Sequence, residues 1–431
     1  MKKVIALLLT LGLLVSLVGC GKSDSDKKSS GDNKTKTVAT AENPVELTMW
    51  NIAVESDSNR KAYVAAIEKY QKDHPEVKLT WEPTQNEEYK TKIKAAVTAD
   101  QMPDIFFTWG GGFLRDFVEA GRVYALDAEY ANFEKDLPRN MLVNHTYDGK
   151  IYAAPTNYNF VAMFANMDIL KQAGYDKVPA TYDELIACCD ALVAKGLIPF
   201  GCSVTEPWCV SEYLEPMIQK SVGSDTLINM YLGKESWNNE GVIKAVDNFQ
   251  TMLDKGYFDP EGTALLNDEI KANFAAGKYA FYINGTWNCA SFGDIADIVQ
   301  ISEFPVIDSS KSSLGELIGG PNDALAVAAS CKNPEIAANA AFEIAKNVCQ
   351  EGYLTGSGLP AWTPDYDTST LSDMTKTVAD IFSNSKKVVL FGDGIQSADN
   401  ATTYLKFLSQ IYAKAIDGKG FVENLDKEIK K

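Results

Sequence analysis

Residues 284–288 read Asn-Gly-Thr-Trp-Asn and follow the apolar run Phe281-Tyr282-Ile283. An indole at a strand end, with amides and a hydroxyl beside it, either packs as a rim or forms a flat apolar plate offered to something outside the chain. Such a plate suits a ring with C–H faces and a fringe of hydroxyls. The indole covers the face, and carboxylates and amides pair with the fringe. Trp287 is the foremost candidate, with Asn284 and Asn288 in reach of hydroxyls and Gly285 allowing close approach. Trp109, after Pro103-Asp104-Ile105-Phe106-Phe107, is either a second plate or a strand cap. Trp50, Asn51 and Glu55 follow the first strand, with Asn51 and Glu55 better suited than Trp50 to a polar contact. Asn322 and Asp323 follow two glycines, as a polar contact or a plain turn. Tyr158 and Trp362 either face a cleft or pack beside it. Trp81 and Trp237 read as structural.

Covalent chemistry finds less support. Hydrolysis of a glycosidic bond needs two carboxylates across a cleft, and Glu55, Glu206 and Asp323 are of the right type. The chain has two histidines, His74 in a helix end and His145 in a polar loop, so no Ser-His-Asp or Cys-His set assembles. With no Cys-x-x-Cys pair either, zinc and other metals are not expected, nor is a cofactor.

The chain has 431 residues, which implies two lobes rather than one core. Its formal net charge of −17 repels phosphate backbones, which excludes nucleic acid as a partner. Residues 1–19 have a basic start and an apolar stretch too short for a stable span. Their last three residues and the next, Leu17-Val18-Gly19-Cys20, resemble the lipobox of bacterial lipoproteins, which implies cleavage before Cys20 and lipid on its sulfur. Residues 20–44 are rich in Ser, Lys, Asp and Thr and read as a disordered tether. Seven cysteines follow Cys20, an odd number, so at least one is free; Cys202 and Cys209 could bridge a loop, and apolar burial is the other reading.

The elements that position these residues are legible from periodicity. Residues 45–51 alternate as a strand, and a helical pattern runs to Pro75. A second strand (77–83), a second helix and a third strand ending in glycines follow. This β-α-β-α-β order predicts a parallel sheet with ligands beyond the carboxyl ends of its strands, where Trp50, Asn51 and Trp109 fall. Helices dominate residues 181–276. Residues 316–330 read as strand, glycine turn, strand.

Five stretches in order resemble the extracellular solute-binding proteins of ABC transporters, the family that includes maltose-binding protein. They are "PDIFF", "DGKIYAAPTNYNFVAMFANMDILKQAG" with Met167 for the usual lysine, "VPATYDELIACCDALVAKG" with Tyr182 for tryptophan, "FAAGKYAFYINGTW" with Phe281 for methionine, and "GSGLPAW". The resemblance implies an α/β fold of periplasmic-binding-protein type, with two lobes and a hinge of several crossings that closes like jaws. It places residues 45–154 and 310–350 in the first lobe, 155–305 and 363–431 in the second, and 306–309 and 351–362 in hinge segments. It assigns a pocket tryptophan to Trp287. "TEPWCVSEY" resembles the family's Glu-Pro-aromatic loop, which makes Trp208 a plate and Glu206 a hydroxyl acceptor. The expected protein is a monomeric, lipid-anchored binding protein on the outer face of the bacterial membrane. It would capture a sugar or oligosaccharide and deliver it to an ABC permease. The alternatives are a surface glycoside hydrolase and a sugar-sensor subunit.

Overall fold

The computed structural model describes residues 40–429. The signal segment, Cys20 and the tether as far as residue 39 lie outside these. The last tether residues are ordered, with Thr40 and Asn43 paired in a small turn that leads into the first strand.

Two sheets organise the chain. Strands β1 (Val45–Asn51), β2 (Val77–Pro83) and β3 (Ile105–Trp109) are parallel neighbours in the order β2-β1-β3, as the periodicity predicts. The helices Arg60–Asp73 and Asn86–Ala99 make the crossovers. Their apolar faces, Tyr63 and Ile67 on one and Tyr89 and Ile93 on the other, bury against this sheet. Burying side chains of this size contributes about 1.5–3 kcal/mol each. A small hairpin of β4 (Thr146–Tyr147) and β5 (Lys150–Ile151) precedes β6 (Ala153–Pro155), which joins the edge of the first sheet.

The second sheet contains β7 (Asn159–Asn166), β8 (Ile198–Phe200), β9 (Tyr279–Gly285), β10 (Val299–Ser302), β11 (Glu316–Gly320) and β13 (Lys387–Val389). Strand β12 (Asp323–Val327) returns to the first sheet, antiparallel to β3 and β6. β7 is buried along its whole length, so it lacks the alternation of a half-exposed strand.

Residues 316–330 do not form the predicted hairpin. β11 pairs with β7 and β13, whereas β12 pairs with β3 and β6. The turn between them is a passage from one sheet to the other. The expected first-lobe segment 310–350 therefore loses its start, because Glu316–Gly320 belongs to the second sheet. The expected hinge at 306–309 also sits within the second lobe, where Asp308 N donates to Lys220 O at 2.9 Å and Ile307 packs on the second core. The chain passes between sheets at residues 156–158, at 321–322 and again beyond Thr363. Beside the first passage, Tyr158 and Leu359 exchange backbone hydrogen bonds, both 2.8 Å.

The seven cysteines after Cys20 are all free and all buried. Cys202 Sγ lies against the carbonyl of Cys209 at 3.6 Å rather than bonding to its sulfur. These thiols act as small apolar side chains.

Candidate functional site

The carboxyl ends of the parallel strands in both lobes face one cleft. Three loops reach it from the first sheet: Ile52–Asn59 after β1, Gln85–Asn86 after β2, and Trp109–Phe113 after β3. From the second sheet come Glu206–Glu212 after β8, Trp287–Asn288 after β9, and Phe391–Gly394 after β13. The cavity between them has a volume of about 220 Å³. At roughly 10–15 Å³ for each water position, it holds many waters.

Seven of the expected residues line it: Trp109, Glu206, Trp208, Trp287, Asn288, Asn322 and Asp323. Trp208 and Trp287 have ring centroids 6.2 Å apart and planes inclined at 56°. Phe391 continues the aromatic wall, 6.3 Å from Trp287. Gly285 has a different purpose from the one expected. A Cβ there would sit 2.0 Å from the Trp287 ring, so the missing side chain makes room for the indole itself to fold back over the strand end. Asn284 turns inward and accepts from Gly285 N and Asn288 Nδ2, both at 2.9 Å, so it shapes the turn. Trp109 combines both readings: it lines the cavity, and it packs edge-on against Phe107 and Phe113 at 4.9 and 5.0 Å.

Glu206 bridges the cleft. Its carboxylate accepts from Asn267 N at 2.7 Å within its own lobe and from Gln85 Nε2 at 3.0 Å across the gap. Gln85 also caps the helix Asn86–Ala99, accepting from Glu87 N at 2.8 Å, so its position is fixed. A second bridge joins Ser56 to the Asn267–Ala275 helix. Ser56 Oγ donates to Asp268 Oδ2 at 2.5 Å, and Lys271 Nζ donates to Ser56 O at 2.9 Å. The two lobes are thus closed on each other in this structure.

Besides Asn284, five expected residues lie outside the cavity lining. Asn51 is fully buried, and its Oδ1 accepts from Ala53 N at 3.0 Å, so it shapes the β1 loop. Glu55 points to solvent and pairs with Arg60 at 2.7 Å. Trp50 packs on the first core with Lys92 Nζ 4.0 Å above its ring. Tyr158 packs against Phe382 with centroids 4.6 Å apart. Trp362 is 3% exposed, and its Nε1 donates to Pro155 O at 2.7 Å, which pins the hinge. Trp50, Tyr158 and Trp362 have partners far away in the chain, which local sequence does not reveal, whereas Asn51 and Glu55 are taken by neighbours two and five residues on.

The structure adds residues that sequence reasoning did not single out, among them Asp57, Asn86, Asn159, Glu212, Lys271 and Asp393. Five residues of the lining, expected and added alike, carry buried polar atoms with no partner among the described residues: Asn86 Oδ1, Asn159 Nδ2, Trp208 Nε1, Glu212 Oε2 and Asn322 Oδ1. Buried polar atoms are nearly always hydrogen-bonded, so five open valences around one cavity mark a wall built to hold polar occupants, whether solute or water.

Burial also sets the electrostatics. It pushes Asp57 up to about 6, against the Asn59 N–H and Lys271, and Asp323 up to about 6, against its hydrogen bond from Asn157. Behind Phe391, burial and the nearby Asp393 raise Glu215 to about 8, opposed by the Gly392 N–H. Carboxyls raised in this way hold protons that the unfolded chain releases from about pH 4. These three carboxyls therefore contribute stability at acid pH that is lost as pH rises from about 4 towards 8, and His145, which burial holds down at about 4, opposes them below about pH 6.5. Thermal melts at pH 5.5 and 8 are expected to show a lower Tm at pH 8. Glu215→Gln, whose amide oxygen still accepts from Gly392 N, is expected to flatten the slope between pH 6.5 and 8, where Asp57 and Asp323 are already ionised. An equal slope in that variant would reject Glu215 as its source.

The family model for bacterial extracellular solute-binding proteins matches residues 55–351. An uncharacterized ABC transporter extracellular-binding protein of Pyrococcus horikoshii is 27% identical over 308 residues, covering 69% of this chain and 70% of that one. The multiple sugar-binding protein of Streptococcus mutans is 25% identical over 314 residues, covering 70% and 71%. A solved structure from work on xylan utilization by the thermophilic bacterium Caldanaerobius polysaccharolyticus is 32% identical. It superposes with a TM-score of 0.85 and covers 90% of this chain and 100% of that one. The matched residues run from the loop after β1, through both sheets and the cleft between them, to the helix Pro334–Thr355, and the chain belongs to the bacterial extracellular solute-binding proteins, which bind their solutes and are not enzymes.

Proposed function

We propose that this protein captures a sugar, in particular an oligosaccharide, in the cleft between its lobes and delivers it to the permease of an ABC importer. The observation that carries this reading is the pairing of two inclined indoles, Trp208 and Trp287, with a wall of unpartnered amide and carboxyl atoms. Indole faces cover C–H surfaces, and planar amides and carboxyls match vicinal hydroxyls. Two of the similar proteins support the solute class, one named for multiple sugars and one from work on xylan utilization. Two of the three lysines in the wall do not argue for an anionic solute, because Lys90 pairs with Glu87 at 2.7 Å and Lys271 with Asp268 at 2.9 Å, while Lys94 stands 5.3 Å over the Phe113 ring.

In this reading the protein acts as a single chain. It is held to the outer face of the membrane by lipid on Cys20, with residues 21–39 as the tether. Closure removes the solute from water and brings both lobes into one surface for the permease. Calorimetric titration with xylo-, manno-, malto- and galacto-oligosaccharides tests it. One series is expected to bind saturably at one site per chain and to be recovered uncleaved. Cleavage products, or no binding in any series, would reject the proposal.

A further inference from the structure

Glu212 is a buried acid that the protein leaves without a partner. It is 3% exposed, it lines the cavity, and its Oε2 has no hydrogen-bond partner among the described residues. It lies four residues after Trp208 on the helix Trp208–Val222, so plate and carboxyl share one helix face and present to the same space.

The charges that bear on Glu212 are both carboxylates. Glu215 lies one turn further along the same helix, and Asp393 lies on the turn after β13. The thiols of Cys202 and Cys209 flank it, and Tyr231 and Tyr404 surround Glu215. Lys90, from the first lobe, acts on Asp393 and is not among the charges that act on Glu212. An ionised carboxylate at this position would be desolvated, unpaired and repelled by Asp393, and by Glu215 wherever that group is ionised. The neutral acid avoids all three penalties and has an O–H to give.

We propose that Glu212 presents a protonated carboxyl to the cavity and donates a hydrogen bond to an oxygen of the bound solute beside the Trp208 plate. This rests on the sugar-binding reading and narrows it. A neutral acid offers a donor to a hydroxyl, ring or bridging oxygen and no counter-charge to an ammonium group. At this position the site thus favours an uncharged group of the solute over an ammonium, whatever the cavity's other carboxyls do.

The test compares wild type, Glu212→Gln and Glu212→Leu by calorimetry, using the tightest neutral oligosaccharide of the panel above and glucosamine oligomers at pH 6 and 8. Glutamine keeps a neutral donor, and leucine removes it while filling the space. Glu212→Gln is expected to bind the neutral sugar within about threefold of wild type, and Glu212→Leu more than about tenfold more weakly. Glu212→Gln is expected to change the affinity for glucosamine oligomers by no more than it changes that for the neutral sugar, both at pH 6, where their amino groups are charged, and at pH 8. A loss in Glu212→Gln as large as in Glu212→Leu, or a loss of the amino sugar in Glu212→Gln much larger than that of the neutral sugar, would overturn the proposal in favour of an ionised carboxylate. Unchanged binding in Glu212→Leu would overturn it as well, by showing no contact with the solute. Thermal melts confirm that each variant is folded; should the leucine variant not fold, the glutamine variant and the amino-sugar comparison decide. Sugar binding by wild type with either failure leaves the broader function standing, whereas no binding of any sugar by wild type removes both.

Discussion

Replacing Trp287 by alanine is expected to weaken sugar binding more than tenfold and to leave the protein folded. The indole is half-buried at the end of β9. It touches Trp208 and Phe391, and it folds over Gly285 in a space that only glycine leaves open. Covering one face of an indole removes on the order of 80 Å² of apolar surface from water, worth roughly 2 kcal/mol at about 25 cal/mol per Å². A tenfold change in affinity corresponds to about 1.4 kcal/mol, so the lost stack alone exceeds it. The fold tolerates the change because the buried strand beneath, Tyr279–Gly285, keeps its pairing with β7 and β8. Titration of the variant measures the first effect and a thermal melt the second. Unchanged affinity would reject Trp287 as a plate.

Gly111→Ala is expected to weaken binding by a comparable or larger factor, through closure rather than contact. Gly111 follows β3 in the first lobe with φ of 65° and ψ of −134°, a mirror-β conformation that glycine adopts readily and that costs a side chain about 1–3 kcal/mol. A Cβ at this position would lie 1.6 Å from the carbonyl oxygen of Gly394, on the turn after β13 of the second lobe. The obstacle is backbone on both sides, so no rotamer change relieves it. Each lobe keeps its core, because the clash lies between them. The closed state is penalised selectively, and apparent affinity falls in proportion to the fraction of closed protein. Small-angle scattering with saturating sugar separates this variant from Trp287→Ala: the Gly111 variant is expected to remain more extended than wild type. A Gly111→Ala protein that compacts like wild type and binds with wild-type affinity would contradict the interpretation of this contact as part of closure.

The sequence carried local structure better than long-range placement. The alternation of residues 45–51 and the stop at Pro75 gave β1 and the first crossover helix, because each signal lies within the element itself. The run Glu316–Val327 shows the limit. Strand, glycines and strand form a local hairpin pattern, yet which sheet each strand joins depends on β7 and β13 for one and on β3 and β6 for the other, from more than fifty to over two hundred residues away.

The site divides in the same way. Trp287 and Trp208 stand out as aromatic residues in polar turns, and both line the cavity. Trp362 and Trp50 have the same signature and lie outside it, because Pro155 and Lys92 claim them. Glu212, Asp393 and Asn159 carried no aromatic flag. The spacing of Glu212 from Trp208, one helical turn, was the signal available for it, since a residue four positions along a helix shares the plate's face.

The most direct measurement is a crystal structure with the tightest-binding oligosaccharide. A sugar ring is expected against Trp208 and Trp287, with Asn86 Oδ1, Asn159 Nδ2 and Asn322 Oδ1 partnered by its hydroxyls or by waters that bridge to them. A sugar bound elsewhere on the protein, or a cleft that closes with no ring between those indoles, would contradict it.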